Sequence, residues 1–280
     1  MKELIRRRLL EFLEEDLGRE DVTSRAVIAA DRQASARVES RAAGIVAGIE
    51  EALLLCELGG LAAEGLKQDG EAIDAKQVVL GTEGSARSIL GIERTLLNLL
   101  SHMSGIATLT KRAVAAVEGS GVRIAATRKT LPGLRWFEKR AVEIGGADPH
   151  RRDLAAAVLI KDNHLVVVGD VAEAVRRARQ KASFTQQIEV EVESRHQALA
   201  AAEAGADILL LDNLEAAEIG SVVEALEQAG LRERLLLEAS GGISIEALPR
   251  YAKTGVDVIS MGALTASAPF LDYSLEISTA

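Results

Sequence analysis

Apolar residues recur with helical spacing near the start of the chain, where Leu4, Ile5, Leu9, Phe12 and Leu13 share one face of a helix expected over residues 3–15. Residues 33–48 alternate apolar and polar positions, which predicts strands around a turn. The stretch "IERTLLNLLSHMSGIATL" returns to helical spacing, with Ile92, Leu96, Leu99, Leu100 and Met103 as its apolar stripe. On another face of that helix Arg94, Asn98 and His102 recur every four residues. Periodicity alone fits a solvated helix edge as well as a functional line.

From residue 122 the rhythm changes. Short apolar runs at 122–126, 157–160, 188–192, 208–211, 235–237 and 256–259 read as strands. Helical patterns at 134–144, 171–181, 195–204, 215–228 and 245–253 separate most of them. Strand–helix alternation implies a parallel sheet, and six such units predict a barrel or part of one, with a doubly wound sheet as the alternative. No fixed-period repeat and no low-complexity linker interrupts the 280 residues.

Composition narrows the function. The hydrophobic content of 48% is ordinary for a globular protein. The opening "MKELIRRRLLEFLEEDLGRED" has no uninterrupted apolar run, so neither a signal peptide nor a membrane span is expected there. A single cysteine, Cys56, rules out an intrachain disulfide and a cysteine-based zinc site, and a cytoplasmic location is expected. An aromatic content of 2% and a net charge of −9 argue against nucleic acid as a partner. Against that acidic background, residues 123–161 hold nine basic and four acidic side chains, a local charge of +5. Such a concentration suits a pocket for a small anion.

In parallel α/β architectures chemistry gathers at the C-terminal strand ends, and every run here ends in reactive residues. The first is followed by Arg128 and Lys129, the second by Lys161, Asp162, Asn163 and His164. The third, "IEVEVES", sets Glu189, Glu191 and Glu193 on one face. The fourth ends in Asp212 and Asn213. The fifth and sixth end in "EASGGIS" and "SMGALT", whose Gly241, Gly242 and Gly262 allow backbone N–H groups to approach a phosphate; tight strand-to-helix turns explain each glycine taken singly. Arg128, Lys129, His150, Arg151 and Lys161 together suit a ligand with more than one carboxylate. Glu191 and Asp212 suit sugar hydroxyls or a hydrated Mg²⁺, with ion pairs to nearby lysines as the competing use. Arg135, Lys139, Arg140 and Arg152 read as ordinary surface charges, and His196 as solvent-facing, whereas His164 sits beside chemically active neighbours.

The segments "EDLGREDVTS", "ERTLLNLLSHMSGIAT", "TRKTLPGLR", "GGADPHR", "LIKDNH", "EVEVES", "LLLDN", "EASGGI" and "MGALTASAP", in that order, resemble quinolinate phosphoribosyltransferases along nearly the whole chain. The resemblance implies an N-terminal α/β sandwich and an incomplete α/β barrel of the type II phosphoribosyltransferases. The sandwich would span residues 1–114 joined by 268–280, and the barrel 115–267. It implies transfer of phosphoribose from phosphoribosyl pyrophosphate (PRPP) to quinolinate with loss of CO₂, giving nicotinate mononucleotide and pyrophosphate for NAD synthesis, with Mg²⁺ as cofactor. It also implies a homodimer, or a higher homo-oligomer, in which Arg94 is lent across the interface. Arg128, Lys129, His150, Arg151 and Lys161 would surround the two carboxylates. Glu191 and Asp212 would hold the ribose, and Ser240, Gly241, Gly242 and Gly262 the 5-phosphate. The catalytic group would comprise Lys129, Lys161, Glu191 and Asp212. Two departures stand out: Glu20-Asp21 replaces the usual Gly-Asp, and "GGADPHR" replaces a Gly-Gly-Gly version. The related ModD-like proteins tend to lose the Lys-Asp-Asn-His element, which is intact here at 161–164. A barrel aldolase or isomerase acting on a sugar phosphate through Lys129 or Lys161 is the other enzymatic alternative.

Overall fold

The computed structural model describes residues 2–279. The chain divides into two compact units, Met1–Leu109 with Ala268–Ala280, and Thr110–Ser267. No helix among the described residues is long and apolar enough to cross a membrane.

The first unit opens with α1 (Lys2–Leu17), which buries Leu9 and Leu13, while Leu4 remains 67% exposed. Helix α2 (Val22–Val27) starts at Asp21, whose Oδ1 accepts the N–H groups of Thr23 and Ser24, both at 3.0 Å. Hydrogen bonds from the Ser24 side chain and backbone hold the Asp21 carboxyl below its usual pKa. Glu20 pairs with Arg25 on the surface, so both members of the Glu20-Asp21 departure act within this cap. In β1 (Gln33–Ser40) alternate residues Ala34, Ala36, Val38 and Ser40 are buried, the signature of a sheet with one covered face. There follow β2 (Gly44–Ile45), α3 (Ile49–Leu58), β3 (Ala62–Gly65), β4 (Ala72–Ile73), β5 (Val78–Ser85) and the long α4 (Ala86–Ala116). An antiparallel sheet runs in the order C-terminal strand (Tyr273–Ser278), β1, β5, β3, with Val38 opposite both Leu80 and Leu275.

The apolar stripe of α4 is buried as its spacing predicts, from Ile92 to Met103. The polar line on its other face does not stay together. Arg94 and Asn98 are exposed, but His102 is buried, its ring 5.3 Å from that of Phe270. Each four-residue step advances about 40° around a helix, so two steps carry the line from solvent into the core. The chain segment before the C-terminal strand docks on this part of α4. Leu271 N–H donates to the Ser101 carbonyl at 3.0 Å, and the Tyr273 hydroxyl to Ser104 Oγ at 3.0 Å. A glycine in mid-helix is explained here. A Cβ on Gly105 would lie 2.0 Å from the Pro269 carbonyl oxygen.

The second unit alternates β6 (Arg123–Ala125), α5 (Arg135–Ile144), β7 (Val158–Ile160), α6 (Asp162–Val168), α7 (Val171–Lys181), β8 (Ile188–Val192), α8 (Arg195–Glu203), β9 (Ile208–Asp212), α9 (Ala216–Gln228), β10 (Leu236–Ser240), α10 (Leu248–Tyr251), β11 (Val258–Ser260) and α11 (Ala263–Ala266). All its strand pairs are parallel, in the order β6-β11-β10-β9-β8-β7. The first strand thus lies beside the last, which a doubly wound sheet does not do and a barrel does. Closure fails between β6 and β7, where a single bridge from Ala125 to Asp148 stands in for a ladder. The barrel is incomplete.

Two element readings need correction, and one helix has no counterpart in the sequence pattern. Strand β10 runs on to Ser240 rather than stopping at 237, because the barrel interior accommodates Glu238. The run "DNHLVVV" is a helix, α6, although none of its residues is buried. The helix expected over 245–253 is a 3₁₀ turn, Ile245–Ala247, followed by the short α10 with Pro249 in its first turn.

Substituting Gly105→Ala forces the C-terminal segment off α4 within the first unit. We expect a loss of about 1–3 kcal/mol, read as a lowered urea midpoint at constant slope; an unchanged midpoint contradicts the close approach.

Candidate active site

The C-terminal strand ends of the second unit surround one cavity of about 840 Å³, large enough for a drug-sized ligand. Arg128 and Lys129 come from the loop after β6, His150 and Arg151 from the segment before β7, and Lys161 from the end of β7. These five basic residues, separated in sequence by up to 33 positions, line the same cavity. The Arg128 Nε is buried without a hydrogen-bond partner among the described residues. Burial and the nearby Arg128 charge both lower the Arg151 pKa, against the opposing field of Glu189. Cations here are crowded.

The rest of the cavity is built differently. Glu191 ends β8, Asp212 ends β9, Ser240 ends β10, and Gly241, Gly242 and Gly262 follow β10 and β11. Lys161 Nζ donates to Glu191 Oε2 at 2.6 Å, so this lysine joins the two halves of the site. Asp212 is half-buried, and desolvation, then the Glu191 charge, raises its pKa. The loops after β9 and β10 interlock. Asn213 N–H donates to the Ser240 carbonyl at 3.0 Å, and a Cβ on Gly241 would lie 2.3 Å from Asn213 Oδ1. With φ of +103° at Gly241 and +60° at Gly242, only glycine adopts this turn without strain. Gly262 is tight for another reason, since a Cβ there would lie 2.8 Å from Lys129 Cδ.

Two buried carboxylates complete the site: Glu189, which the alternation of "IEVEVES" already set on the face of Glu191, and Glu238, which no sequence pattern singled out. Glu189 projects from β8 and Glu238 from β10, at 2% and 4% exposure. His150 Nε2 is 3.2 Å from Glu238 Oε2 and 3.8 Å from Glu189 Oε1. Burial opposes charge on His150, but the two carboxylates outweigh it and lift its pKa to about 9. The Arg151 main-chain N–H points at Nδ1 from 2.7 Å, and only an unprotonated Nδ1 accepts it; this contact opposes the second proton that the carboxylates favour and keeps the ring's proton on Nε2. Burial, with the Glu238 charge, raises the Glu189 pKa. The two-residue alternation of "EVEVES" holds for Glu189 and Glu191, which are buried, while Glu193 lies past the strand and is exposed.

Comparison with known proteins places the chain in a family. The family described as Quinolinate phosphoribosyl transferase, C-terminal domain, matches residues 106–276, and its N-terminal domain matches residues 21–104. The chain belongs to the quinolinate phosphoribosyltransferase family. A probable carboxylating nicotinate-nucleotide pyrophosphorylase from Methanothermobacter thermautotrophicus is 49% identical over 269 residues, covering 95% of this chain and 96% of that one. The carboxylating nicotinate-nucleotide pyrophosphorylase of Mycobacterium leprae is 40% identical over 283 residues, covering 99% and 96%. Among solved structures, NadC from Streptococcus pyogenes superposes with a TM-score of 0.92 at 35% identity, covering 100% of this chain and 98% of its own.

Within this quinolinate phosphoribosyltransferase, the cavity gathers Arg128, Lys129, His150, Arg151, Lys161, Glu191, Asp212, Ser240, Gly241, Gly242 and Gly262; Arg94, exposed on α4, is not among the lining residues. His164 proves to be a helix cap, its Nδ1 accepting the Lys161 N–H at 2.8 Å, and His196 is exposed. The charges assigned to bland surface are not all bland. Arg135 donates to Thr130 Oγ1 at 2.9 Å and to the Arg152 carbonyl at 3.3 Å, and Arg152 pairs with Glu143 at 2.7 Å. The Arg140 guanidinium lies 5.8 Å from the centre of the Trp136 ring. Lys139 is the clearest correction. It is fully buried, and its Nζ donates to the Pro149 carbonyl, next to His150. The helical pattern of "RWFEKRAVEI" gives no such signal: a two-residue step turns about 200°, which sets Lys139 nearly opposite Phe137, with Val142 about 60° away from it.

Burial, followed by the charges of Arg152 and Arg135, lowers the Lys139 pKa from 10.5 to about 8. Between these values the unfolded chain binds the proton that the folded chain releases, so stability rises with pH across that window. We expect the native protein to gain roughly 2–3 kcal/mol between pH 8 and pH 10.5 relative to Lys139→Met, compared by urea unfolding. Parallel pH profiles for the two proteins contradict the buried amine.

Proposed function

We propose that the basic wall of the cavity cages the two carboxylates of quinolinate while the opposite wall holds PRPP, so that the chain makes nicotinate mononucleotide, pyrophosphate and CO₂. The observation carrying this reading is the convergence of Arg128, Arg151 and Lys161 on one cavity whose other side ends in the Ser240-Gly241-Gly242 turn. Relatives named carboxylating nicotinate-nucleotide pyrophosphorylases support it. The forked guanidiniums of Arg128 and Arg151 match planar carboxylates, and Lys129 adds a compact charge. The glycine turn and Gly262 leave main-chain N–H groups accessible to the 5-phosphate. The aldolase alternative loses support, because Lys161 Nζ is engaged with Glu191 instead of standing free as a nucleophile.

The chemistry follows from this arrangement. The pyridine nitrogen attacks the anomeric carbon as pyrophosphate leaves. The ribose passes through an oxocarbenium-like state, which the Glu191 and Asp212 carboxylates stabilise while fixing its hydroxyls. Lys129 and Lys161 face the negative charge gathering on the leaving group. The donor set also fits Mg²⁺: desolvation and Glu191 raise the proton affinity of Asp212, marking a carboxylate in want of a cation, whereas Glu191 already has Lys161. Asp212 would hold an Mg²⁺ that arrives with PRPP, which would supply positive charge for the pyrophosphate leaving group. Once the ring nitrogen is quaternary, it stabilises the electron pair left as the adjacent carboxylate departs as CO₂. The chain's own task in that step is to hold the ring still and exclude water. Arg94, an exposed residue of α4, is assigned to a partner's site in a homodimer, and the enzyme to the cytoplasm.

Incubation with quinolinate, PRPP and Mg²⁺ should release CO₂ and nicotinate mononucleotide in equal amounts; no turnover contradicts the reading. Arg128→Ala or Arg151→Ala should weaken quinolinate binding by about 2–4 kcal/mol, roughly 30- to 1,000-fold, with PRPP affinity little changed. Normal turnover at unchanged quinolinate affinity ends the assignment of the basic wall. Mixing Arg94→Ala with a Lys161→Ala chain should restore part of the activity in heterodimers, and an absence of recovery contradicts a shared site.

A further inference from the structure

Two negative charges beneath a site for a dianion are, on Coulomb's law alone, misplaced. Glu189 and Glu238 are buried inside the barrel, and each keeps one oxygen (Oε1) without a hydrogen-bond partner among the described residues. Burying carboxylates is costly, and leucines of similar size would fill the barrel without that cost. What they do hold is His150. Glu238 Oε2 stands 3.2 Å from Nε2, with Glu189 Oε1 at 3.8 Å on the same ring nitrogen.

His150 is itself in a strained position. Its φ is +56°, in the left-handed region that a histidine enters only when its surroundings require it. The segment is fastened from several sides. Ala126 N–H donates to the Asp148 carbonyl at 2.9 Å, and Asp148 N–H to the Ile124 carbonyl at 2.8 Å, which stitches it into the open seam of the barrel. His150 N–H donates to Asp148 Oδ1 at 2.6 Å, and Lys139 holds the Pro149 carbonyl. The last link is the ring. Its Nδ1 accepts the Arg151 N–H at 2.7 Å, so the orientation of the imidazole fixes the peptide that launches the Arg151 side chain. With both nitrogens engaged inside the protein, the imidazole has no ring N–H directed at a substrate.

We propose that Glu238, assisted by Glu189, is a positioning residue of the carboxylate-binding wall: it clamps the His150 ring, and the ring sets the Arg151 backbone so that its guanidinium enters the cavity. This rests on the reading of that wall as the quinolinate site. Glu238 carries the larger share because its oxygen is at hydrogen-bond distance. The two ways a carboxylate could matter here predict opposite signs. If Glu238 acted only through its field, removing its charge would tighten binding of a dianion. If it acts through His150, removing it weakens that binding.

The test is steady-state kinetics of Glu238→Leu and Glu238→Gln in the full chain, with quinolinate and PRPP varied separately. Glu238→Leu should raise KM for quinolinate about tenfold or more, as loss of a hydrogen bond between charged partners does, with KM for PRPP within about twofold. Glu238→Gln, which keeps an acceptor for Nε2–H, should recover part of the loss, and Glu189→Gln should change little. A KM for quinolinate that falls or does not move in an active enzyme overturns this proposal alone. Equal rises in both KM values with a lowered melting temperature assign Glu238 to packing and overturn it as well. A wild-type protein that does not use quinolinate overturns both readings together. Should Glu238→Leu fail to fold, the wild-type protein still decides: the clamp predicts a slowly exchanging Nε2 proton on His150 in nitrogen-15 spectra, and rapid exchange overturns it.

Discussion

Repulsion among like charges is the constraint that shapes this molecule. Arg128, Lys129, Arg151 and Lys161 line one cavity in a protein whose net charge is −9. Free in water, such side chains would spread apart; here burial and then the neighbouring Arg128 charge depress the Arg151 pKa. Buried carboxylates make the arrangement tolerable. Glu191 takes Lys161, and Glu189 and Glu238 take His150, so the wall is charged toward the cavity and compensated toward the barrel. The residual positive charge of the wall is what the proposed dianion would neutralise.

The incomplete barrel supplies the geometry. Parallel strands bring residues far apart in sequence to a common rim, and each strand end contributes a different group. Closure stops between β6 and β7, and the segment carrying His150 and Arg151 occupies that seam through the Ala125–Asp148 bridge. A closed ladder there would have left no room for this basic segment. The opposite rim, where Asn213 packs against Gly241, depends on backbone shape instead of charge. One cavity therefore has an electrostatic side and a steric side, suited to two substrates that differ in the same way.

Much of this was legible in the sequence. Strand–helix alternation after residue 122 gave the parallel sheet, and the runs of polar residues at the strand ends pointed to the rim. Periodicity failed where burial and polarity part company. Glu238 reads as the end of an apolar run, yet it continues the strand because the barrel interior supplies a histidine partner. Lys139 reads as surface, although α5 turns it under the Pro149 carbonyl. Helix α6 carries no helical signal in the sequence, since Val166 and Val167 are exposed and its start depends on the side chain of His164. In each case the deciding partner lies in another element or on another turn, and a local pattern cannot register it.

Equilibrium binding compares the two halves of the central claim most directly. Titration calorimetry should find quinolinate bound at least about tenfold more tightly than nicotinate, which lacks the second carboxylate, with the difference shrinking as salt is added. Equal affinities for the dianion and the monoanion, unaffected by salt, would mean that the basic wall does not grip two carboxylates.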